Sequence, residues 1–133
     1  MRRYFFDFSA LAKRYHRETG TEKVALLFDE PGREIRISRL SFVEVQSVFA
    51  MKVRAGFIRL AEAGQQRARL VVDVAAGQIE VYAVTPQHFS AAERLIGKHS
   101  FTTRLRTLDA LQLAVALDLA VREGLLVLNP ETV

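Results

Sequence analysis

YFFDFSALAKRY, Tyr4 to Tyr15, runs from an aromatic strand-like segment into a helix-like one, with Asp7 at the junction and Ser9 two places on. A buried strand gains nothing from ending on a charge. The carboxylate therefore asks for a reason, and the reason depends on whether later carboxylates occupy the same kind of junction.

The rest of the chain alternates in the same way. Arg3 to Phe6 reads as a short buried strand and Ser9 to His16 as a helix. Thr21 to Phe28 reads as a short helix stopped by the turn DEPGRE. EIRIS alternates and reads as a strand. SRLSFVEVQSVFAMKVRAG has Val45, Val48 and Phe49 at helical spacing and ends near Gly56, and FIRLAEAGQQRARLVVDVAAG reads as a further helix or a broken pair. QIEVYAV is a strand, and Thr85-Pro86 opens the next helix, proline being suited to a first turn. TLDALQLAVALDLAVRE is a strongly apolar helix closed by Gly124, and LLVLN is a last strand stopped by Pro130. Strands alternating with helices predict a mainly parallel sheet covered on both faces, here as one α/β domain over residues 1–133.

A chain of 133 residues, half of them hydrophobic and only three of them proline, can bury a real core and reads against long disorder. The absence of cysteine excludes a disulfide framework, thiolate metal sites and a cysteine nucleophile. The start, MRRYFFDFSA, has no long apolar run and is not read as a signal peptide. The most apolar stretch carries Asp118, Arg122 and Glu123, which argues against a membrane span. The expectation is a soluble cytoplasmic protein. A net charge of +4 favours encounter with polyanions such as nucleic acid without requiring it.

Three acids share a structural position. Asp7 ends the first strand, Glu44 lies in the first turn of the helix after the second strand, and Asp109 opens the apolar helix. In an open α/β sheet the carboxyl ends of strands and nearby helix amino ends form the ligand crevice. Each acid also has a plain structural reading. Ser41 to Glu44 fits a capping box, Thr107 can cap while Asp109 favours the helix dipole, and Asp7 and Ser9 can bond the first amides of their own helix. Gathered together, like charges repel and call for a cation, and oxygen-only ligands suit magnesium or manganese.

YFFDFSALAKRY, ISRLSFVEVQSVFA, LRTLDALQLAVAL and EGLLVLNPE, in that order across nearly the whole chain, resemble the PIN-domain nucleases, and among them the VapC toxins of bacterial and archaeal toxin–antitoxin pairs. The resemblance implies a PIN-like three-layer fold and a Mg²⁺- or Mn²⁺-dependent endoribonuclease that cuts RNA. It also implies a VapB-like antitoxin partner and a homodimer. Asp7, Glu44 and Asp109 match the metal-binding acids and Ser9 the hydroxyl position beside them. One departure stands out. Relatives usually carry another strand ending in an acid after the Asp109 helix, and then a helix. Here only fourteen residues separate Asp109 from Gly124, so the usual fourth strand and following helix are missing. Asp118 is no substitute, because nine residues at about 100° each place it on the opposite helix face from Asp109.

Natural loss, an incomplete sequence, or replacement by the terminal strand each account for the gap. In the last case Asn129 comes near the missing acid's place with Glu131 close by, and metal affinity falls. A lost central strand would leave the first strand an open edge.

Arg104 and Arg106, before Asp109, are candidates for RNA phosphate contacts, as are Lys13 and Arg14, with Arg17, beside Asp7; solvated surface residues are the plain alternative. His16, His88 and His99 show no ligand spacing and read as surface residues. No Gly-rich nucleotide motif or nucleophile elbow is present. The expected function is thus a metal-dependent ribonuclease toxin. The alternative is a catalytically impaired PIN-fold module that still binds antitoxin or RNA, and a truncated product folding only as a swapped dimer is a third reading.

Overall fold

The computed structural model describes residues 2–123 and 126–128. The elements run β1 (Arg3–Phe6), α1 (Phe8–Tyr15), α2 (Thr21–Asp29), β2 (Glu34–Ser38), α3 (Arg39–Arg54), α4 (Leu60–Ala75), β3 (Glu80–Tyr82), α5 (Pro86–His99), α6 (Thr107–Glu123) and β4 (Leu126–Leu128). All strand pairs are parallel, in the order β3-β2-β1-β4.

Successive side chains of a strand point to opposite faces, and β1 shows what that does. Tyr4 and Phe6 enter one core with Leu11, Val24, Ile35, Ile37, Val45, Phe49 and Leu70, drawn from β2 and α1 to α4. Phe5 turns the other way and packs on Val115, Ala116 and Leu119 of α6. A smaller cluster joins Ala92 of α5 to Ala110, Leu111 and Ala114 of α6. The result is three layers, with α1 to α4 on one face of the sheet and α5 and α6 on the other. Burial on both faces is why Tyr4-Phe5-Phe6 reads as a continuous apolar run rather than an alternating one.

Within the 57–77 segment the single helix α4 forms, over Leu60–Ala75, rather than a broken pair. Gly56 and Gly77 end α3 and α4 with φ of 79° and 78°. In each case the glycine amide and the next residue's amide turn back onto the last helical carbonyls: Gly56 to Val53 and Phe57 to Lys52, then Gly77 to Val74 and Gln78 to Asp73.

The terminal strand settles one alternative. β4 lies directly beside β1, with Tyr4 opposite Leu126 and Phe6 opposite Leu128. It thus fills the sheet position left by the absent segment. The expected open edge on β1 is corrected, because β1 is paired on both sides and the edges are β3 and β4. Asn129, Glu131 and the Gly124 cap lie outside the described residues. Among the described residues no helix is long and apolar enough to cross a membrane.

Candidate functional site

Three chain segments end at one side of β1. β1 stops at Phe6 because Asp7 turns its side chain back as the N-cap of α1, accepting the Ala10 amide at 2.8 Å. β2 stops at Ser38, whose hydroxyl caps α3 by accepting the Ser41 amide at 3.1 Å. The expected Ser41–Glu44 capping box is therefore corrected. The helix starts three residues earlier, Ser41 is buried inside it, and Glu44 lies in its second turn. At the start of α6 the Asp109 carboxylate reaches back to the Arg106 amide at 3.2 Å, while Thr107 is the first helical residue rather than the cap.

Asp7, Glu44 and Asp109 line one pocket of about 260 Å³, together with Gln112 and the apolar side chains Phe5, Phe8, Leu105, Leu108, Leu113 and Ala116. Burial pushes the Asp7 carboxyl above its usual value and Asp109 adds to this, while the Ala10 and Ser9 amides and the Lys13 charge pull against it. Glu44 is raised as well, by burial first and then by Asp7 and Asp109, against a hydrogen bond from Gln112. The carboxylates therefore feel one another, and among the described residues no lysine or arginine lines the pocket, Lys13 acting on Asp7 from outside it. An all-oxygen, net negative donor set suits a hard divalent cation. Among the described residues, however, no three His, Asp or Glu side chains are gathered as ready ligands for one ion.

Ser9 sits in the first turn of α1, half-buried, and is not among the residues lining the pocket. Arg104 and Arg106 are exposed in the segment before α6, and neither side chain has a partner among the described residues. The other two phosphate candidates are already engaged. Lys13 is buried, with its ammonium donating to the Thr19 carbonyl at 2.6 Å and lying 3.7 Å from Glu18. Arg14 donates to Asp73 at 3.0 Å and lies over the Phe28 ring. Tyr15 donates to the same carboxylate at 2.6 Å. Arg17 pairs with Glu22 at the surface.

Two further residues escape a reading of the chain. Gln112 donates to Glu44 at 2.9 Å and also to the Ser41 hydroxyl, and it accepts from Ser38 at 2.7 Å. Its place one turn after Asp109 on the same helix face is the available signal. His88, expected at the surface, is buried. Its Nδ1 accepts the Thr85 amide at 2.9 Å, so its Nε2–H donates to Asp118 at 2.8 Å. Thr85-Pro-Gln-His88 places His88 where a capping box puts its reach-back residue, which was the signal for it. Asp118 pairs with His88 and Arg122, away from the carboxylate pocket, as its helix phase requires.

Two solved structures share the fold. One is the crystal structure of Mycobacterium tuberculosis VapC20, a sarcin–ricin loop cleaving toxin, with a TM-score of 0.66 and 15% identity, covering 97% of this chain and 92% of that one. The other is VapBC2 from Rickettsia felis bound to a DNA fragment from their promoter, with a TM-score of 0.62 and 13% identity, covering 96% of this chain and 98% of that one. At such identities the likeness speaks to the fold alone. No curated protein matches the sequence. The profile of the PIN domain matches residues 4–124, from inside β1 to the end of α6, and the chain thereby belongs to the PIN domain family.

Proposed function

We propose that this chain is a Mg²⁺- or Mn²⁺-dependent endoribonuclease, the toxin of a type II toxin–antitoxin pair. The observation that carries the reading is the convergence of Asp7, Glu44 and Asp109, from three separate segments, on one pocket without a basic side chain. In this reading the three carboxylates hold one or two divalent cations. Bound there, the cation supplies an activated water and offsets charge on the phosphodiester. Asp7 is held by the Ala10 amide and Asp109 by the Arg106 amide, so both acids stand on fixed helix starts. Ser9, in the first turn of α1, orients a water or a phosphate. Arg104 and Arg106 hold the RNA backbone beside the pocket, since among the described residues their exposed head groups, unlike those of Lys13 and Arg14, are not engaged. The apolar side chains Phe5, Phe8, Leu105 and Leu108 line the pocket around the acids.

A VapB-like antitoxin partner, a homodimer and a cytoplasmic setting complete the proposal. It is supported by the fold shared with the R. felis pair and by large exposed apolar side chains such as Phe57, Leu60 and Phe101. A second reading, a binding module without catalysis, draws on the missing fourth acid and on the lack of a preformed group of three ligands among the described residues. Incubating purified protein with RNA and Mg²⁺ or Mn²⁺ separates the two. The enzyme cleaves, and loses cleavage both in EDTA and on Asp7→Asn. A folded protein that cleaves at no metal concentration overturns the enzyme and leaves the binding module.

A further inference from the structure

We propose that Gln112 is a positioning residue for Glu44, and that its side-chain amide sets how strongly the pocket takes a divalent cation. The inference rests on the reading of Asp7, Glu44 and Asp109 as cation ligands. Its geometry is independent of that reading. Gln112 ties together three elements: the end of β2 through Ser38, and two turns of α3 through Ser41 and Glu44, all from its own place on α6. It stands one turn after Asp109 on the same helix, so the bond to Glu44 fixes the separation of two acids that the chain places 65 residues apart.

The orientation of the amide is determined by its neighbours. The Glu44 carboxylate only accepts hydrogen bonds, so the Gln112 NH₂ must face it. A flipped amide would set two acceptors against each other. The Ser38 hydroxyl completes the constraint, since it accepts from the Ser41 amide and donates to the Gln112 oxygen. One Glu44 oxygen is thereby engaged by a neutral donor. A lysine or arginine in this place would hold the carboxylate equally well but would cancel the charge that draws a cation. Outer partners of this kind are worth roughly ten- to a hundred-fold in metal affinity.

The test is a double-mutant cycle read by calorimetric titration of the full chain with Mn²⁺, using Gln112→Met, Glu44→Gln and the pair. Methionine keeps the length of the side chain and removes the donor. Gln112→Ala gives a second variant in case methionine disturbs packing, and circular dichroism confirms the fold of each. The expected result is a Mn²⁺ affinity about ten-fold weaker in either Gln112 variant, with no further loss when Glu44 is already glutamine. Unchanged affinity in both folded Gln112 variants, or losses that simply add in the pair, overturn the positioning role. If Glu44→Gln itself leaves Mn²⁺ binding unchanged, what fails is the reading of Glu44 as a ligand, and the proposal fails with it.

Discussion

Asp7 caps α1 by accepting the Ala10 amide while burial, and to a lesser degree Asp109, raises the cost of its charge. Asparagine separates these effects, because it caps a helix as well as aspartate does and carries no charge. The folded-state pKa of Asp7 lies above its usual value, so the native carboxyl binds its proton more tightly than the unfolded one. Its ionisation therefore costs nothing below the unfolded pKa, and the cost is fully present once the pH has risen through the folded pKa. Asp7→Asn should accordingly stabilise the cation-free protein near neutral pH by on the order of 1 kcal/mol. The gain should shrink toward pH 4 and also shrink when Mg²⁺ is added. Urea unfolding of both proteins from pH 4 to 8 checks this, and a variant less stable at pH 7 would count against it. At this scale the sequence showed its charged residues well, since a carboxylate at a strand end is conspicuous. Gln112 was not conspicuous. A neutral amide poses no charge puzzle, and its partners Ser38 and Glu44 lie far away in the chain.

Between elements, α5 and α6 are joined by the His88–Asp118 bond as well as by apolar packing. Replacing His88 with alanine removes the acceptor for the Thr85 amide and the donor to Asp118 together. The expected cost is about 2 kcal/mol, read as a lower urea midpoint with an unchanged slope. The Asp118 carboxyl lies below its usual value, chiefly because of His88. This support is present above the unfolded carboxyl pKa and is lost as the pH falls through the folded one, so the alanine variant should lose less stability than the parent on acidification below the ordinary carboxyl pKa. Periodicity and turn residues place the helices and strands, with boundaries off by up to about three residues. The start of α3 was misread because Ser38 and Ser41 are both plausible caps, and Ser41-x-x-Glu44 imitates a capping box. Only the pairing of Ser38 with β2's last rung, opposite Tyr82 of β3, decides between them.

For the whole molecule, β1 joins the two cores. Phe6 belongs to one and Phe5 to the other, and Phe5 also lines the carboxylate pocket. Phe5→Ala should cost about 3–5 kcal/mol, a large part of the stability of a domain this size. Thermal unfolding measures it, and a loss below 1 kcal/mol would mean that α6 is held by other contacts. The layered α/β architecture was legible from the alternation of elements. The order of the strands was not, because nothing in LLVLN states which neighbour it takes. That choice is made by the space beside β1.

The pairing of β1 with β4 also has a consequence in time. A chain made from its amino end produces Tyr4 more than a hundred residues before Leu126, its opposite number in the sheet. Closing so long a loop is entropically costly and tends to come late. Domains gather as they emerge during synthesis, yet here the strand that leads into Asp7 waits with one flank bare until Leu126–Leu128 has been translated. The carboxylate that is synthesised early is among the last to be set in its final surroundings. A growing chain would thus carry Asp7, Glu44 and Asp109 on the ribosome, surrounded by RNA, before the sheet beneath them is complete.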